Sequence, residues 1–88
     1  MSPEDLLKDA LSETGITLNV SKDALLRYVA ERGAHLATLS ADPGFARALR
    51  AERNAVALYA GLNASLQAEA VESRIVGVIS GVLLGLAS

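Results

Sequence analysis

The sequence contains no cysteine, a single histidine, two prolines and only three aromatic residues, Tyr28, Phe45 and Tyr59. Without thiols there is no disulfide framework and no thiolate metal site. With so few aromatics, the core has to be aliphatic and alanine-rich, a composition that favours helices and lets them approach closely. His35 has no partner motif that would make it a catalytic base. Glu31 precedes it by four residues, whereas di-iron helical bundles use two Glu-x-x-His pairs, and no second pair exists. Neither a catalytic residue nor a metal or other cofactor site is expected, and the chain reads as a non-enzyme.

Strong charge of either sign is also missing. The net charge is −2 over 88 residues, which argues against a general nucleic-acid binder. Ser2-Pro3-Glu4-Asp5 is acidic where a secretory signal would be basic, so export through a signal peptide is not expected. The longest apolar run, Ile75 to Ala87, would extend roughly 20 Å as a helix against a hydrocarbon core about 30 Å thick. It can lie on a membrane but is too short to span one. Extended backward, it meets Arg74, Glu72 and Glu69.

What is present reads as one small all-α domain over 1–88, a helical bundle containing a helical hairpin and a long or kinked apolar C-terminal helix. Helices are predicted at about 3–14, 22–39, 43–61 and 64–87, with an extended connector at 16–20. Ser2 caps the first helix, Pro3 takes its first position, and Gly15 stops it. Ile16, Leu18 and Val20 alternate onto one face of the connector. Ser21 caps the second helix, with Val20 and Leu25 at the staple positions. Leu25, Leu26, Val29, Gly33, Leu36 and Ala37 share its apolar face. Asp42 and Pro43 suit the N-cap and first residue of the third helix, and the short turn makes a hairpin. From Phe45 onward there is no proline. One continuous helix there would exceed about 60 Å, whereas a compact domain of this length is about 30 to 35 Å across. A break at Gly61 to Ser65 is therefore expected.

The strongest local pattern is Gly77-x-x-x-Gly81-x-x-x-Gly85. Glycines four apart form one groove along a helix and admit another backbone at close range. Each costs about 1 kcal/mol against alanine, which calls for a packing reason. Apolar residues cover the other directions of this helix, and a helix apolar all round needs burial on every side. One short chain is not expected to supply that, so Gly77, Val78, Gly81, Val82, Leu84 and Gly85 are assigned to an interface with copies of the chain or with a larger protein assembly. If the helix is continuous, Asn63, Gln67 and Arg74 extend the groove as a polar strip that can set register; the alternative is a simple exposed edge.

Arg47, Arg50 and Arg53 form a basic strip on the third helix. It can contact phosphate or an acidic partner, or it can be a solvated face paired with Glu31 and Glu52. The paired helices have a helix–turn–helix look, but the Asp-Pro-Gly turn and the acidic balance argue against DNA binding.

The runs Ala51-Glu52-Arg53-Asn54-Ala55-Val56-Ala57-Leu58, Ala60-Gly61-Leu62 and Ala70-Val71-Glu72-Ser73-Arg74-Ile75-Val76-Gly77 resemble small helical proteins encoded by tailed phages and prophages, as does Tyr28 to Ala37. The resemblance implies a virion or morphogenesis role exercised through protein contacts, in the host cytoplasm or in the virion, and carries over no catalytic residues. The expected function is thus a non-enzymatic assembly or interaction protein that oligomerises through its last helix. The alternatives are a membrane-surface-active helical protein and a small regulator that contacts nucleic acid through the three arginines.

Overall fold

The computed structural model describes residues 2–62 and 70–88, excepting the side chains of residues 71 and 72. Four helices account for the fold: α1 (Pro3–Thr14), α2 (Lys22–Ala37), α3 (Phe45–Ala60) and α4 (Ala70–Ala87). No strand occurs among the described residues, and the fold is an all-α bundle.

The helix ends follow from local chemistry. Ser2 Oγ accepts from the Asp5 N–H and the Asp5 carboxylate accepts from the Ser2 N–H, a reciprocal capping box. Gly15 closes α1 in the left-handed conformation (φ 61°), its N–H bonding to the Leu11 carbonyl. Ser21 Oγ caps α2 through the Ala24 N–H at 3.1 Å. Between these caps Ile16, Leu18 and Val20 pack half-buried against the core. The connector is pinned from below, because the Asn19 N–H bonds to the Ala60 carbonyl at the end of α3.

Two boundaries differ from the sequence-based expectation. Helix α2 stops at Ala37 rather than 39, because Thr38 and Leu39 donate to carbonyls three residues back and tighten the chain out of α geometry. Helix α3 starts at Phe45 rather than 43. The Asp42 carboxylate accepts from the Gly44 N–H at 2.7 Å and is consumed by a turn of its own, so it does not cap the helix. Ala37, assigned to the core face of α2, is exposed.

Helix α3 ends at Ala60. Gly61 is left-handed (φ 80°), its N–H bonds to Leu58, and the Leu62 N–H reaches back to the Ala57 carbonyl at 2.8 Å. This paired closure turns the chain while burying Leu62. A Cβ at residue 61 would fall on the Asn19 amide, so both conformation and space require glycine. The turn at Gly61 lies within the expected break; the rest of that break, and residues 64–69 of the expected last helix, lie outside the described residues. The greatest extent of the molecule is 36 Å, far short of one continuous C-terminal helix.

The core is a single cluster. Leu7 and Leu11 come from α1, Leu25, Val29 and Leu36 from α2, Val56, Ala57 and Ala60 from α3, and Ile75, Ile79, Val82 and Leu83 from α4. Helix α4 is its axis and packs on all three other helices, while the backbones of α1 and α3 stay more than 8 Å apart at every Cα. The hairpin of α2 and α3 is further tied by an Arg32–Glu52 ion pair at 3.1 Å and by stacked Tyr28 and Tyr59 rings 4.3 Å apart. Arg32 also lies 5.7 Å over the Tyr28 ring, within cation–π range.

The close approach in this bundle is between α2 and α4, at Gly33. A Cβ there would stand 2.7 Å from Leu86 Cβ and 2.8 Å from its Cδ1. The Leu86 Cβ is fixed to its backbone and cannot swing aside. Gly33→Ala is therefore expected to lower stability by about 1–3 kcal/mol, the usual cost of overpacking, despite alanine's better helix propensity. Adding Leu86→Ala should recover part of the loss. Denaturant midpoints measure both, and an unchanged or raised midpoint for Gly33→Ala would contradict the close crossing.

Candidate interaction surface

Half of α4 faces inward. Ile75, Val76, Ile79, Val82, Leu83 and Ala87 are all buried within the chain. The other half carries Arg74, Gly77, Gly81, Leu84 and Gly85 toward solvent. The helix is thus less uniformly apolar than its composition suggests. Counting glycine as apolar hides the fact that three of the outward positions have no side chain to bury. Two sequence-based expectations are corrected here. One chain does supply burial for Ile75, Val76, Ile79, Val82 and Leu83 though not for Leu84, and Val82, assigned to an interface, is 1% exposed and belongs to the core.

The remaining assigned residues divide. Gly77 and Gly81 have nothing within 4 Å of the position a Cβ would take. Gly85 has Pro3 Cγ at 3.2 Å from that position, so it serves the fold by letting the start of α1 come close. Val78 is half-buried, and Leu84 remains 49% exposed. The polar strip proposed beside them is only partly visible: Asn63 and Gln67 lie outside the described residues, and Arg74 is engaged by Glu13.

That Arg74–Glu13 ion pair, at 2.9 Å, links the start of α4 to the end of α1, while Pro3 meets Gly85 at the opposite ends. The two helices therefore run antiparallel and are pinned at both ends. Between the pins lies a groove of about 430 Å³. Its floor is Ala10, Val78, Gly81 and Val82, and its outer rim is Leu6 and Asp9. Leu6 is 52% exposed, a large apolar side chain left at a groove edge. The floor is apolar and offers area; the rim offers carboxylates. Such a site can bind a complementary side chain or helix face.

A second, smaller hollow of about 210 Å³ sits over the hairpin, lined by Ala24, Arg27, Tyr28, Glu31 and Tyr59. No protein-family model, curated protein or solved structure matches the chain. The reading of its surface therefore rests on its own residues.

Arg47 and Arg50 are exposed on the outer side of α3. Arg53 is drawn aside, donating from Nε and Nη2 to Asn54 Oδ1. Glu52 pairs with Arg32 of α2 and with none of the three arginines. On the same outer side Leu58 is 80% exposed, the most exposed large apolar residue described. His35 is exposed in the last turn of α2. Among the described residues no group of three His, Asp or Glu side chains is placed to hold a metal ion, and no helix is long and apolar enough to cross a membrane.

Leu6, Asp9 and Leu58 were not singled out by sequence. A signal existed for the leucines. Leu7 and Leu11 hold the core face of α1, and Leu6 lies about 140° round the helix from Leu11. Leu58 stands opposite Val56 and Ala60, which hold the core face of α3.

Because Gly77 has open space around it and ordinary helical backbone, Gly77→Ala is expected to stabilise the fold by about 0.5–1 kcal/mol through helix propensity. A thermal or denaturant midpoint that fell would show that the glycine has a structural duty inside the monomer.

Proposed function

We propose that this protein is a non-enzymatic assembly module that associates with further copies of itself through the groove between α1 and α4. The observation that carries the reading is Gly81. It sits mid-helix on the groove floor, costs the helix about 1 kcal/mol against alanine, and has open space where a Cβ would stand, so that no neighbour in the chain requires it to be glycine. A docked partner fitted into the groove would supply that requirement. The half-exposed Leu6 at the rim adds apolar area that association would remove from water, at about 25 cal/mol per Å². The likeness of the Ala-Glu-Arg helices to small proteins of tailed phages and prophages supports a place in virion structure or morphogenesis, in the infected cell or the particle.

Sedimentation across a range of protein concentrations tests the reading. The native chain is expected to associate reversibly. Gly81→Gln fills the groove floor without adding an apolar patch, and is expected to leave helicity intact while shifting the protein to monomer. A native chain that stays monomeric throughout, or a Gly81→Gln chain that associates as the native one does, would overturn it.

A further inference from the structure

From the distribution of charge we infer the surface that enters the groove: the outer face of α3 from the next copy, so that the chains join head to tail. This inference rests on the assembly reading and names its second half.

The argument begins with charge. Helix α1 carries Glu4, Asp5, Asp9 and Glu13 against Lys8 alone, and α3 carries Arg47, Arg50 and Arg53 against Glu52 alone. Within the fold these opposite surpluses do not pair, because no ion pair joins α1 to α3 among the described residues. On the groove rim Glu13 is already neutralised by Arg74, and Asp9 has no ion-pair partner among the described residues. On α3, Glu52 is drawn to Arg32, and neither Arg47 nor Arg50 has an ion-pair partner among the described residues. One side of the molecule thus presents an apolar floor with an acidic rim. Another presents a basic helix face with one large apolar side chain.

Shape agrees with charge. At 100° per residue Arg47, Ala51, Asn54 and Leu58 form a single stripe, flanked by Arg50. The stripe offers Leu58 as a knob, with small or polar residues before it and the two arginines at the far end. It spans about 16 Å, the rise of eleven residues. Leu58 suits the floor of Ala10, Val78 and Gly81, and the arginines suit Asp9 and Asp5 on the acidic side of α1. The alternative of groove against groove around a two-fold axis would bring two unpaired Asp9 carboxylates to one contact, and like charges repel. A single chain cannot satisfy the match internally. Since the two surfaces are different, each copy still offers one after using the other, and the contact propagates into a ring or a filament.

Three chains test this by sedimentation: the native protein, a face variant R47E/R50E with its groove intact, and a groove variant D9N/G81Q with its α3 face intact. The native chain should form species larger than a dimer, weakening as salt is raised. Each variant alone should self-associate about tenfold more weakly or worse, the scale of losing complementary charge at a contact. Mixed, the two should form a one-to-one complex that grows no further, because the native groove of one accepts the native face of the other. That rescue also excludes misfolding as the cause of the loss. If R47E/R50E associates as the native chain does while D9N/G81Q does not, the groove is a docking site but α3 is not its occupant, and this inference falls alone. If the native chain is monomeric, the assembly reading falls with it. If the mixture gives no heterodimer, the head-to-tail match is wrong.

Discussion

Helix α4 can bury Ile75, Ile79 and Leu83 only if α2 lies close against it, and α2 lies close at Gly33, where Leu86 occupies the space a side chain would need. That crossing sets the spacing of the whole bundle. With α2 and α4 in place, Leu25, Val29 and Leu36 meet the inner face of α4. The hairpin partner α3 follows α2 through the Arg32–Glu52 pair and the Tyr28–Tyr59 stack. Helix α1 then covers a flank of α4, adding Leu7 and Leu11 to the same cluster. Small chains bury a limited share of their surface, and this one concentrates its burial around one axis.

The glycines illustrate why identical residues in a repeating pattern need not have identical roles. Gly85 admits Pro3 and so fixes one end of the α1–α4 pair, while Arg74 and Glu13 fix the other. Gly81 and Gly77, one and two turns earlier, have open space where a Cβ would stand. The spacing of four residues guarantees that all three lie along one side of the helix. It does not determine how much of that side a neighbouring helix reaches. The reach is decided by the tilt and length of α1, which is a tertiary property.

Much of the architecture was legible because its signals are local. The Ser2, Gly15, Ser21 and Gly61 caps act within a few residues of themselves, and each marks a real helix end. The competition for Asp42 was less visible: the same carboxylate suits an N-cap or a turn, and the turn won. The inward set of α2 was readable from periodicity except at Ala37, the last residue of the helix, which is exposed. For α4, periodicity failed for a different reason. Aliphatic residues and glycines together look apolar in every direction, so the sequence cannot distinguish a helix surrounded by partners from one with a bare glycine side. As for the candidate surface, α4's contribution of Val78 and Gly81 was legible, whereas α1's Leu6 and Asp9 became meaningful only once the antiparallel pairing was known.

Segregation of charge follows from the same arrangement. A bundle with α4 as its axis has no reason to bring α1 and α3 together, so their opposite surpluses remain on separate sides. Were the acids and arginines there only for solubility, mixing the signs on every helix would serve equally well, and α2 does mix them, with Lys22, Asp23, Arg27, Glu31 and Arg32 in one helix. Separation instead gives the molecule two unlike faces, one acidic beside a groove and one basic beside an exposed leucine. Unlike faces on one chain favour contact between different sides of successive copies over contact of a side with itself. The physical difference between those two modes is whether assembly stops at two. In this molecule that difference rests on α4: its inward half holds α1 and α3 apart, and its outward half forms the floor of the groove.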